Sequence, residues 1–408
     1  MRVWLVRDLE PIPTDHGNPR LLRAGMLATT LASLGHETTW FTSSFNHYSR
    51  QHRETGVISP QENLMIEVLK APGYSRNVGA RRLVHNYRFA RQFLEVARAS
   101  KQLPNVIIAD LPTTDAASAA VRFGLEAEIP TVLTIRDLWP DFFSDFMPRP
   151  LGTLARFASW PLNNQTKFAC RHATSLIGIS EGYLKWGQEK GNRKSIAYDR
   201  ISYLGYLRPP PIALHEFTEA LRILNIPLSG HVISFVGSWG ATYDLSLVLQ
   251  AARLLRDRKD ITFALAGDPS TRPDLKRAFQ KLPNVRLLGW IDKNQVAALL
   301  SRSDIGLLPY TSNAPQGLPN KIFEYMAYGA FQISTLSGEA KDLLQQTGTG
   351  LSIPSASSAE FAQAIETVVD DANILKKRDQ RAAVFEARFD ARRIYRELVD
   401  HIVRVGQK

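Results

Sequence analysis

Short apolar runs alternate with helix-like stretches along nearly the whole chain, and that rhythm is the strongest constraint on how it can fold. Runs near 3–6, 38–42, 65–69, 106–109, 131–135, 176–179 and 201–203 are continuous and β-rich, as strands are when covered on both faces of a parallel sheet. The helix after the first run is the most explicit, with Leu27, Leu31 and Leu34 at spacings of four and three before Gly35. The rhythm stops at Leu207-Arg208-Pro209-Pro210-Pro211, because three prolines continue neither a helix nor a central strand. It resumes at 231–235, 262–266, 285–288, 305–308, 331–334 and 351–353, with helices expected at 244–257, 274–280 and 293–301. A chain of 408 residues exceeds what one core usually supports. The expectation is therefore α/β: one doubly wound domain over 1–207, a linker at 208–213, a second over 214–390, and a helical end over 391–408.

Composition narrows the class further. With 44% apolar and 22% charged residues the chain reads as an ordinary globular protein. No run approaches the ~20 apolar residues of a membrane span, and the charged start MRVWLVR does not resemble a secretory signal. A cytoplasmic location is expected. Lone Cys170 forbids an internal disulfide and reads as a buried structural thiol. The net charge of +11 favours an anionic partner. Arg76, Arg81, Arg82, Arg88, Arg91, Arg98 and Lys101 crowd one segment, interleaved with Leu83, Tyr87, Phe93, Leu94 and Val96. That pattern suits either a peripheral contact with an anionic membrane face or a solvated helix. No nucleic-acid-binding module is visible, so nucleic acid is not an expected partner.

The stretch 304–338 carries the most chemistry. It reads as a strand, a polar loop, a helix opening at Pro319 and ending at Gly329, and a second strand. A strand feeding a glycine-containing loop at a helix N-terminus offers unpaired N–H groups and a positive dipole end, which suits phosphate. Glu324 lies four residues after Asn320, hence on the same face. Ile322, Phe323, Met326 and Ala327 form the buried stripe and turn Glu324 toward the loop. Its two acceptor oxygens match the adjacent hydroxyls of a ribose.

The segment GLPNKIFEYMAYG at 317–329 resembles the donor-binding element of the retaining GT-B glycosyltransferases, the group 1 family numbered four. The resemblance implies two Rossmann-like domains facing across a cleft, with the last helix packing back on the first domain. Members usually carry two glutamates eight residues apart here; this chain has Gln316 and Glu324. By the resemblance Glu324 holds the donor ribose, while Gln316, Gly317 and Leu318 face the donor sugar and its phosphates. A carboxylate accepting a hydroxyl contributes roughly 1.5–3 kcal/mol per bond and a neutral amide roughly 0.5–1.5, so Gln316 orients a sugar without offering it a negative charge.

Other positions follow from the same likeness. Val236-Gly237-Ser238-Trp239-Gly240 stands where members have a glycine loop with an Arg and a Lys on the donor diphosphate. Ser238 occupies the Arg place and no Lys follows through Leu247, so Lys321, or else Arg272, is the expected substitute. Gly267 resembles the family's glycine turn, and Gly289-Trp290-Ile291 the segment that meets the nucleobase. In the first domain Gly17 and Asn18 resemble the loop against donor sugar and acceptor, and His16 beside them reads as either a base or a solvated side chain. Arg136 stands where relatives often have histidine. Arginine stays charged and moves no proton, so Arg136 is expected to steady a sugar or an acceptor phosphate, or else to pair with Asp137 or Asp141. Asp137 is an acceptor-side candidate.

The expected activity is transfer of a sugar from a nucleoside diphosphate, UDP ahead of GDP, with retention and with neither metal nor other cofactor. The segments 136–141 and 42–47 resemble transferases of surface-polysaccharide pathways, which implies a glycan or polyprenyl-diphosphate-linked acceptor. A non-hydrolysing sugar-nucleotide epimerase of the same fold, or a non-catalytic nucleotide-sugar-binding subunit, is the alternative.

Overall fold

The computed structural model describes residues 1–17, 19–77, 79–141, 159–312, 314 and 317–408. The chain divides into two compact units, Met1–Leu204 with Arg392–Lys408, and Gly205–Ala391. The three prolines of the expected linker lie inside the second.

The first unit opens with β1 (Arg2–Val6), α1 (Arg23–Ser33), β2 (Glu37–Ser43), β3 (Gly56–Gln61), β4 (Leu64–Leu69), α2 (Ala80–Ala99) and β5 (Val106–Leu111). It continues with α3 (Thr114–Glu126), β6 (Thr131–Ile135), α4 (Trp160–His172), β7 (Ser175–Gly178), α5 (Glu181–Gly191) and β8 (Arg200–Ile201). The sheet order is β3-β4-β2-β1-β5-β6-β7-β8. Every pairing is parallel except β3 with β4. Most of the continuous runs are buried, β5 along its whole length, although Met65 of β4 is exposed and β8 is only half-buried; Trp4, Phe41, Phe93 and Phe123 meet edge-on or stacked beneath them. Strand β3 escaped the sequence reading because it is an edge strand with mostly exposed residues and a proline. Leu34 does not belong to the buried stripe of α1: it caps the helix and is 47% exposed. Cys170 is buried, and burial pushes its thiol up to about 12.

The second unit runs α6 (Leu214–Ile223), β9 (His231–Val236), α7 (Leu245–Leu254), β10 (Ile261–Ala266), α8 (Pro273–Phe279), β11 (Val285–Gly289) and α9 (Lys293–Arg302). Then come β12 (Ile305–Leu308), α10 (Asn320–Ala327), β13 (Phe331–Ser334), α11 (Glu339–Thr347), β14 (Gly350–Ser352), α12 (Ser358–Asp370), α13 (Ala372–Lys376) and α14 (Arg378–Arg388). Its parallel sheet is ordered β11-β10-β9-β12-β13-β14. A final helix, α15 (Ala391–Gly406), belongs to the first unit, where His401 Nε2 lies 2.9 Å from Ser175 Oγ. Among the described residues no helix is long and apolar enough to cross a membrane.

In open sheets of this kind ligands collect beyond the carboxyl ends of the strands where the winding reverses. The strand orders put those points at β1/β5 in the first unit and at β9/β12 in the second.

Candidate donor-binding site

Two loops meet beyond the reversal point of the second unit. After β9 the backbone turns through Gly237 and Ser238, and after β12 through Pro309 to Thr311. An isolated antiparallel bridge joins Tyr243 to Tyr310, with Asp244 N donating to Pro309 O at 2.7 Å and Thr311 N to Thr242 O at 3.0 Å. The two phenol oxygens are 3.2 Å apart. Beside them opens a cavity of about 770 Å³ lined in part by Asp244, Tyr310, Thr311, Gly317, Thr335 and Ser337.

Helix α10 is locked onto this end of the sheet by Tyr325. Its ring occupies the space a side chain on Gly306 would need, since a Cβ there would lie 2.5 Å from Tyr325 Cγ. The hydroxyl thereby reaches β9, accepting from Val236 N at 3.1 Å and donating to Ser234 O at 3.4 Å. Pro319 is not the first helical residue as expected but the cap before it, with φ −76° and ψ 147°. Gly329 does follow the helix end in the left-handed region, at φ +67°.

The helix sends Lys321 toward the loop after β9, with Glu324 one turn on. Lys321 Nζ and Glu324 Oε2 are 3.8 Å apart and both side chains are largely buried. The Lys321 chain crosses Gly237 so closely that a Cβ there would meet its Cε at 3.0 Å and its Nζ at 3.5 Å. Burial lowers the ammonium's pKa, with Glu324 opposing. Burial chiefly raises the phenols of Tyr243 and Tyr310; the interaction between the two acts next, and the charge of Glu324 adds least. The Glu324 side chain is 18% exposed, so it does not stand in open solvent. Gly267, at φ +135°, lets the turn after β10 close on the same loop: a Cβ would fall 1.9 Å from Gly237 O.

The remaining candidates separate. Leu318 is buried and Gly317 exposed at the entrance to α10. Ser238 is exposed. Trp290, after β11, is 86% exposed. Arg272 pairs with Asp274 at 3.5 Å on the surface, whereas Lys321 lies against Gly237 of the glycine loop. Gln316 lies outside the described residues, as does Asn18.

In the first unit the partly buried Arg136 lies between carboxylates. It pairs with Glu10 through a short bond and with Asp110 at 3.1 Å, not with Asp137 or Asp141. Arg7 faces the same two acids at 3.5 and 3.7 Å. Glu10 also accepts from Ala24 N at 2.8 Å, inside the first turn of α1. Despite burial, the two arginines hold the Glu10 carboxyl below its usual range. Asp141 is bound by Lys190 and Trp186. Asp137 accepts from Leu138 N, and burial raises its pKa. Gly17, at φ +85°, lies in a loop fixed by Asp15, which takes Arg53 Nε and Nη2 at 2.6 Å each and Asn46 Nδ2 at 2.9 Å. His16 is exposed.

The description "Glycosyl transferases group 1" matches residues 230–371, and "Glycosyl transferase 4-like domain" matches 22–196, together more than three quarters of the chain. The chain belongs to the group 1 glycosyltransferases. Alpha-D-kanosaminyltransferase of Streptomyces kanamyceticus is 24% identical over 252 residues; the match covers 55% of this chain and 64% of that protein, just under two thirds of its length. Anabaena HepE, solved in complex with UDP, superposes with a TM-score of 0.66 at 15% identity, covering 99% of this chain and 100% of the other. WaaG, a glycosyltransferase involved in lipopolysaccharide biosynthesis, gives 0.64 at 12% identity, covering 98% and 99%. These likenesses establish the GT-B fold.

In this group 1 chain the sequence reading missed Tyr243, Tyr310 and Tyr325, and in the first unit Glu10, Asp110, Asp15 and Arg53. Tyr325 sits inside the quoted motif, but its reach to β9 has no local signal. Arg53 and Asp15 are separated by α1 and β2, and only the fold makes them partners.

Proposed function

We propose that this chain transfers a sugar from a nucleoside diphosphate, UDP ahead of GDP, to a glycan or lipid-linked glycan acceptor with retention at the anomeric carbon. One observation carries the reading: Lys321 stretches across Gly237, and Glu324, one turn on, lies 3.8 Å from its ammonium. The ammonium and the N–H groups at the start of α10 suit a diphosphate, and the carboxylate suits the ribose hydroxyls behind it. Fixed positive charge at the departing diphosphate stabilises charge that grows as the anomeric bond breaks. The leaving phosphate oxygen then accepts the acceptor's proton as the new bond forms on the same face. Gln316, Gly317 and Leu318 orient the donor sugar, Gly267 lets the backbone close on the phosphates, and Trp290 offers an exposed ring beside the base.

The UDP in the HepE complex and the biosynthetic role of WaaG support a UDP-sugar donor and a surface-polysaccharide pathway. Peripheral attachment to an anionic membrane fits α2, whose exposed residues combine Leu83, Val84 and Tyr87 with Arg81, Arg88 and Arg91. The occupied state of Arg136 favours one second reading, a nucleotide-sugar-binding subunit without turnover. Calorimetric titration of UDP and GDP into the wild type and Glu324→Ala tests the site: UDP binds, and the variant binds it at least tenfold more weakly. Absence of nucleotide binding would sink every donor-based version. Mass detection of a sugar-extended lipid in membranes of expressing cells then separates transfer from binding alone.

A further inference from the structure

The carboxyl ends of β1, β2, β4 and β6 gather cationic side chains in the first unit that the reaction above does not use. Arg82 of α2 is buried, with its Cζ 4.6 Å from the centre of the Trp139 ring and 5.8 Å from that of Tyr74. Two aromatic rings thus hold the guanidinium plane. Its Nη1 donates to Asn77 O at 2.6 Å, whereas its buried Nε has no hydrogen-bond partner. Arg50 lies over the same Tyr74 ring at 5.1 Å and donates through Nη2 to Asn77 Oδ1, and its buried Nη1 is also without a partner. His47 Nδ1 stands 2.7 Å from the Tyr74 hydroxyl.

Asp8 and Asp137 act on Arg82 from nearby without accepting from its Nε, and Asp8 Oδ2 itself has no hydrogen-bond partner. Asp8 faces His85 at 3.4 Å, and Glu10 and Asp110 are held by Arg7 and Arg136. Burial, followed by the charges of Arg50 and Arg82, pushes His47 down to about 4, so the imidazole is neutral in a positive field. Buried guanidinium N–H groups left without acceptors are costly, and a rigid arginine fork matches the paired oxygens of phosphate or carboxylate.

We propose that Arg50 and Arg82, with Tyr74 and His47 beside them, form an oxyanion subsite that takes the phosphate or carboxylate group of an acidic acceptor. This rests on the transferase reading and narrows its acceptor to an anionic molecule. The stacking rings set the direction of the fork, and the acceptor's acidic group supplies the missing hydrogen-bond partners.

The full-length protein, saturated with UDP, is titrated with inorganic phosphate and separately with glucuronate while ligand signals are followed by NMR. At least one probe binds; phosphate ahead of glucuronate marks a phosphorylated acceptor, and the reverse order marks a uronic acid. Arg50→Gln and Arg82→Gln each weaken that binding at least tenfold and leave UDP affinity within twofold. Arg82→Lys, which keeps the charge but loses the fork, weakens it too. If Arg82→Gln fails to fold, the half-buried Arg50 decides alone. Binding of neither probe, or equal binding by wild type and Arg50→Gln, overturns the subsite. Loss of UDP binding in the wild type would instead overturn the transferase reading.

Discussion

Gly237 has no side chain, and Lys321 uses the room. The φ of this glycine does not lie in the left-handed region, so Gly237→Ala tests the space alone: the new methyl pushes the lysine away. UDP binding is expected to weaken about tenfold, equivalent to about 1.4 kcal/mol, with a small fall in melting temperature because the methyl also meets the buried Phe235 ring at 3.1 Å; calorimetry beside a thermal melt reads both. Arg136 gives the opposite pattern. Removing it leaves Glu10 and Asp110 buried with one cation fewer, and breaking such a pair costs about 3–5 kcal/mol. Arg136→Ala should lower the unfolding free energy by about that amount, read from the fall in the urea midpoint. Full stability combined with lost turnover would show the guanidinium acting on substrate instead.

At the scale of elements, α10 is short, and its position depends on tertiary ties more than on its own propensity. Tyr325 is the main tie, spanning from α10 past Gly306 of β12 to the end of β9. Tyr325→Phe keeps the ring but leaves Val236 N–H and Ser234 O without that partner, a loss of about 1–3 kcal/mol. Urea denaturation should show it, and nucleotide affinity should fall as the start of α10 loosens from the glycine loop. The antiparallel bridge between Tyr243 and Tyr310 holds the other side of the same site.

Across the whole molecule, α15 carries the chain back into the first unit, where buried His401 meets Ser175. Burial first, then Arg200 and Arg404, push this histidine down to about 4. Unfolded, it protonates near its ordinary value of about 6.5, so the unfolded chain binds more protons between those values. Stability is therefore full above pH about 6.5 and falls as the pH drops toward about 4. For His401 the loss is roughly 1–3 kcal/mol, and denaturation midpoints across that range should be flatter for His401→Gln. Most strands and the group 1 motif were legible in the chain because burial on both faces and a helix-end loop each leave a mark in neighbouring residues. The cap position of Pro319, the edge strand β3 and the exposure of Leu34 were not, since each depends on what packs alongside. That Lys321 crosses Gly237, and that Arg136 is shut between Glu10 and Asp110, follows from parallel strand order, which brings together loops far apart in sequence and has no local signature.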